Sequence, residues 1–140
     1  MSAETLAGSC LCGSVTYRVR TPFKQFAHCH CRRCRKATGT GHATNLYAEP
    51  TNFEWLTGED NTVRYDLPAA KSFATTFCRT CGSPVPHHTR SGLTMVVPAG
   101  SLDTDPDGSP NVRIFWDSRA SWEGSPDGVP TSRELPEWWQ

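Results

Sequence analysis

Three cysteines, Cys29, Cys31 and Cys34, fall within the short stretch CHCRRC. Four more stand apart from them as Cys10-x-Cys12 and Cys78-x-x-Cys81. Seven is an odd number, so any full disulfide scheme leaves one thiol over. The short C-x-C and C-x-x-C spacings suit metal coordination better than bridging. The chemistry to expect is therefore that of thiolate-bound zinc.

The residues after each pair divide the seven. Cys12 is followed by Gly13-Ser14 and Cys81 by Gly82-Ser83, whereas Cys34 is followed by Arg35. A knuckle that turns backbone N–H groups toward sulfur often needs a positive φ after its second cysteine, and glycine adopts that φ cheaply. Cys10, Cys12, Cys78 and Cys81 are thus expected to share one closed, tetrahedral, structural zinc with Zn–S bonds of about 2.3 Å. The site joins the start of the chain to its middle, so metal-binding free energy becomes folding free energy.

Cys29, Cys31 and Cys34 are left one ligand short of a closed site. His42, His87 or His88 can supply it; His28 and His30 directly flank Cys29 and are poor candidates. If the position stays open, three thiolates give the zinc site a formal charge of −1 and a weak Lewis acid. An exogenous thiol then becomes the natural fourth ligand, held as thiolate. Arg32, Arg33, Arg35 and Lys36 thread through the motif. They are expected to offset the thiolate charge or to hold a substrate carboxylate. Two other readings use the same residues. One is a non-catalytic zinc module for a protein or nucleic-acid partner, closed by a histidine and presenting Trp138 and Trp139. The other is a redox sensor with reactive thiols at Cys29, Cys31 and Cys34. Packing of the two tryptophans against the sheet, anchoring the tail, is the favoured expectation for them.

The elements that must position these ligands are mostly strands. Alternation marks Val15 to Val19, Thr62 to Leu67, and Ser72 to Phe77 with Phe73, Thr75 and Phe77 on one side. Leu93 to Val97 and Val112 to Trp116 are apolar strand candidates, with Asn45 to Ala48 and Phe53 to Leu56 weaker. One short helix is expected from Arg32 to Thr38, stopped by Gly39. Thr104 to Asn111 reads as a surface loop, and the proline-rich C-terminal segment as irregular. The expected fold is all-β, a compact single domain (residues 1–140) of small antiparallel sheets stapled by zinc.

Bulk properties narrow the function. The 140 residues carry 14 basic and 14 acidic side chains, a formal net charge of zero. That balance argues against a polyanion binder such as a nucleic-acid protein. No apolar run approaches a membrane span, and the first residues lack a secretory pattern. A cytoplasmic setting, where thiols stay reduced, is the expectation.

These motifs bear a family likeness. GSCLCGSVTYRV (residues 8–19), CHCRRCRKATG (29–39), FCRTCGSPV (77–85), AGSLD (99–103) and IFWDSRASW (114–122) stand in order. The chain resembles the glutathione-dependent formaldehyde-activating enzyme family, which also includes centromere protein V. The resemblance implies an all-β fold with two zincs per chain. One is structural, on Cys10, Cys12, Cys78 and Cys81; the other is catalytic, on Cys29, Cys31 and Cys34. The implied activity is that of a carbon–sulfur lyase joining glutathione, a small-molecule thiol, to formaldehyde as S-hydroxymethylglutathione. Thr75, Arg113 and Arg119 stand where the family often has arginine, histidine and lysine. The expectation is that these three differences reshape the substrate pocket.

Overall fold

Short runs of alternating apolar and polar residues, broken by glycine and proline, produce ten strands and one helix among the described residues. The structure is a computed structural model that describes residues 3–124 and 128–139. The strands are β1 (Thr5–Ser9), β2 (Thr16–Arg20), β3 (Gln25–Cys29), β4 (Ala43–Ala48), β5 (Phe53–Thr57), β6 (Thr62–Asp66), β7 (Ala74–Cys78), β8 (His87–His88), β9 (Met95–Pro98) and β10 (Val112–Ile114). The helix α1 spans Arg32–Thr38.

They form three small sheets, ordered β1-β2-β5, β10-β3-β4-β9-β8 and β6-β7. All pairings are antiparallel except β10 with β3, which is parallel. Side chains two apart on a strand share a face. In the first sheet that period turns Leu6, Tyr17 and Val19 inward. They pack against Leu46, Ala48, Met95 and Val97 of the five-stranded sheet, and these seven residues are the main core. A second cluster, Cys10, Val15, Cys78 and Val85, surrounds the four-cysteine region.

The same period gives the five-stranded sheet two unlike faces near β3. Ala27 and Cys29 point one way, His28 the other. The register carries this across to neighbours: Cys29 pairs with Ala43 and Ile114, and His28 with Thr44 and Arg113.

Most expected elements are present, with informative shifts. The strand read from Ser72 starts at Ala74, and its more buried face is Ala74, Thr76 and Cys78 rather than the phenylalanine side. The strand read to Trp116 ends at Ile114, because Phe115 takes a left-handed φ of 55° and opens a 3-10 turn over Trp116–Ser118. β1, β3 and β8 fall outside the expected strands; β8 has only two residues, and β1 and β3 are poor in strand formers. Their small residues, Ala7-Gly8 and Ala27, carry little strand signal. Trp138 and Trp139 do not pack against the sheet as expected. They are 74% and 59% exposed, and their rings meet each other at 5.9 Å. No helix among the described residues is long and apolar enough to cross a membrane.

Candidate metal centres and thiol site

Cys10 and Cys12 leave β1 in a turn; Cys78 ends β7 and Cys81 lies in the turn after it. Gly13 and Gly82 have φ of 83° and 76°, the positive values that the knuckles need. The turns aim backbone donors at sulfur. The Val15 N–H reaches Cys10 Sγ at 3.3 Å, and the Cys81 N–H reaches Cys78 Sγ at 3.5 Å. Cys12 Sγ lies 3.6 Å from Cys10 Sγ and 3.8 Å from Cys78 Sγ. A tetrahedron of Zn–S bonds near 2.3 Å has sulfurs about 3.8 Å apart. The sulfurs are thus already spaced for that ion, and far outside disulfide length. All four gather into one group. The Ser83 hydroxyl beside Cys81 favours its thiolate, and that thiol is pushed down to about 5.

Cys29 ends β3, and Cys31 and Cys34 bracket the first turn of α1. Cys31 is the N-cap: its sulfur accepts the Cys34 N–H at 3.2 Å. Gly39, with φ 71°, closes the helix and donates to the Arg35 carbonyl. A seven-residue helix thereby fixes two ligands beside a strand that fixes the third. The three sulfurs form a group of their own. The Cys34 thiol hydrogen-bonds Cys29 and pushes it down to about 6 against the effect of burial. Cys34 itself is pushed well up by giving that bond and by burial. Such a set yields a thiolate readily and fits a soft-tolerant ion such as zinc.

No histidine or carboxylate among the described residues joins the three sulfurs as a fourth donor. Instead they open on a cavity of about 530 Å³. Arg32 and Arg33 of α1 line it, together with Lys71. Its walls include Asn45 and Tyr47 from β4, Val96 from β9, His87, and Ile114 and Phe115. Burial, with Arg64 nearby, pushes the His87 imidazole down to about 4, so it is neutral at physiological pH. Burial raises the Tyr47 phenol, so it keeps its proton. A second cavity of about 570 Å³, lined by Phe23, Phe26 and Leu46 among others, has no cysteine or histidine in its lining.

The remaining sequence candidates lie as follows. Arg35 donates to the Ser118 carbonyl at 3.1 Å, and neither it nor Lys36 lines the cavity. His42 turns to Glu123, with Nδ1 3.0 Å from Oε1. His88 is exposed, and its carbonyl accepts from Arg64. His28 bonds Thr44 at 2.8 Å. Thr75, Arg113 and Arg119 do not line the cysteine cavity either. The two arginines lie against the Trp116 ring, at 5.4 and 4.5 Å. Sequence reading missed Lys71, Tyr47 and the wall position of His87. Lys71 gave no signal, being a lone charge in a loop. Tyr47 was findable, since it shares the Asn45 face of a strand already suspected.

Among curated proteins none matches this chain. A crystal structure of a Rhodobacter sphaeroides protein is similar, at 26% identity and a TM-score of 0.60. The match covers 75% of this chain and 98% of that one. The family model for glutathione-dependent formaldehyde-activating enzyme matches residues 5–118. That span contains all seven cysteines and both thiolate groups just described. The chain belongs to the glutathione-dependent formaldehyde-activating enzyme family.

Proposed function

We propose that the protein is a zinc-dependent carbon–sulfur lyase acting on a thiol–carbonyl adduct, with glutathione and formaldehyde as the pair the family suggests. One observation carries the reading. Three cysteines that no fourth donor joins among the described residues face a cavity large enough for a peptide-sized thiol. When bound there, zinc would supply a position that keeps an incoming thiol as thiolate near neutral pH.

The chain's own residues do the rest. Cys29, Cys31 and Cys34 hold the catalytic ion, and Cys10, Cys12, Cys78 and Cys81 the structural one. Arg32 and Arg33, with Lys71 beside the same cavity, attract and orient a substrate carboxylate. Arg35 and Lys36 add positive charge to the helix without lining the cavity. The apolar walls at Val96, Ile114 and Phe115 limit water around the reacting sulfur. In the forward direction the thiol gives up its proton, a C–S bond forms as the C=O π bond opens, and the carbonyl oxygen takes a proton in return. Tyr47, protonated at neutral pH, is the wall group suited to donate a hydrogen bond to that oxygen. We place this activity in a single domain spanning the chain and in the reducing cytoplasm, with a small-molecule thiol as partner.

A zinc module for a macromolecule, closed by His42, His87 or His88, is the competing reading; His42 and His88 lie elsewhere, and His87 walls the cavity without joining the three sulfurs as a donor. The test is exchange NMR on glutathione and formaldehyde with zinc-loaded protein. Faster interconversion of free and hydroxymethylated glutathione is expected, and Cys31→Ser is expected to abolish it. No acceleration by the fully loaded wild type would contradict the proposal.

A further inference from the structure

His30 stands between two cysteine ligands, yet its side chain lies on the opposite face of the sheet. There it is completely buried, with 0% exposure. Neither ring nitrogen has a hydrogen-bond partner among the described residues. A buried imidazole left that way forfeits the hydrogen bonds it made to water in the unfolded chain. Such an orphan in a folded protein calls for a water or an ion.

The surroundings favour an ion. Glu123 Oε1 is 3.8 Å from His30 Nδ1 and 3.0 Å from His42 Nδ1. Metal–ligand bonds of about 2.0–2.2 Å at tetrahedral angles separate donors by about 3.4 Å. The two distances bracket that value. The three side chains form a ligand group separate from both cysteine sets. Two imidazoles and one carboxylate are a donor set for first-row divalent cations, zinc and iron(II) among them. Gly41 contributes the space: a Cβ there would run into Glu123 Oε2.

We propose that His30, His42 and Glu123 form a third metal site, for a divalent first-row cation, on the sheet face opposite the thiol cavity. The ion ties Glu123, beyond the Trp116–Ser118 turn, to the ends of β3 and β4. It thereby pins the segment whose start, Ile114-Phe115, walls the thiol cavity. The charges facing the site set its strength. Arg113 and Arg119 both lie against Trp116, whose ring meets His30 at 4.9 Å. His28 lies 4.1 Å from the His42 ring. With one carboxylate against two guanidiniums, this site binds more weakly than the thiolate sites and fills last.

The test uses the whole chain titrated with zinc alone and with cobalt(II) alone. Metal content is read beside the thiolate-to-cobalt charge-transfer band and the imidazole ¹⁵N resonances. One equivalent is expected to bind after the charge-transfer band has stopped growing, shifting the His30 and His42 resonances. His42→Ala and Glu123→Gln are each expected to lose that equivalent with the band unchanged. Gly41→Ala is expected to weaken it at least tenfold while all three ligands remain. The proposal is overturned if metal content is the same in wild type and both ligand variants, or if the late equivalent leaves both imidazoles unmoved. Failure of the thiol chemistry instead appears as a charge-transfer band that no added thiol alters, or as absent turnover; the late equivalent and the imidazole shifts depend on neither.

Discussion

Cys31 caps the helix and, in the proposed function, also ligates the metal. Its sulfur accepts the Cys34 N–H while facing Cys29 and Cys34. Replacement by serine keeps a cap, because a serine hydroxyl accepts the same N–H. Cys31→Ser is therefore expected to fold, to lose one zinc per chain by elemental analysis, and to lose activity. His87 gives a different residue-scale prediction. Its pKa falls from 6.5 to about 4 on folding. Between those values the unfolded chain binds the proton and the folded chain does not, so stability falls as pH drops through that window and levels off below it. The loss is about 3 kcal/mol at most. Urea unfolding at a series of pH values is expected to show this slope, and His87→Gln to flatten it.

Loops and strand ends position the ligands more than whole elements do. Gly13 has φ 83° and open space around a notional Cβ, so Gly13→Ala tests backbone conformation alone. The expected cost is about 1–2 kcal/mol by urea unfolding. Gly8 differs: its φ is ordinary, and a Cβ would enter the Tyr17 ring across the β1–β2 pair. Gly8→Ala is expected to cost about 1–3 kcal/mol through overpacking. Much at this scale was legible beforehand. α1 was read with its stop at Gly39, because cap, length and glycine agree locally. The four-cysteine partition was read from Gly13 and Gly82, whose φ values follow from the turns themselves. The grouping of His30, His42 and Glu123 was not legible. Its members are separated by 12 and 81 positions, and only the alternation of β3 shows that His30 and Cys29 part company. The parallel β10–β3 pairing that brings Arg113 beside His28 is equally long-range, with no local signal. Trp138 and Trp139 misled, because aromatic residues imply burial on average while nothing local says what they meet.

The whole molecule is a small double-sheet core with clustered cysteines that could hold metal beside it. Leu46 is fully buried at the centre of that core, between sheets that share no strand. Leu46→Ala is expected to lose about 2–5 kcal/mol in urea unfolding while leaving both thiolate groups able to bind metal. The four-cysteine centre acts globally too, since it joins residues 10 and 12 to 78 and 81. Structural zinc sites contribute on the order of 10 kcal/mol to folding. At Cys29, Cys31 and Cys34 no fourth donor joins the sulfurs among the described residues, and the proposed function gives that position to the substrate thiol. The decisive measurement is the visible spectrum of the cobalt-substituted protein as glutathione is added. A change in the thiolate-to-cobalt bands is predicted, present in wild type and absent in Cys31→Ser. A spectrum that no thiol alters, in a protein with both thiolate sites loaded, would contradict the account.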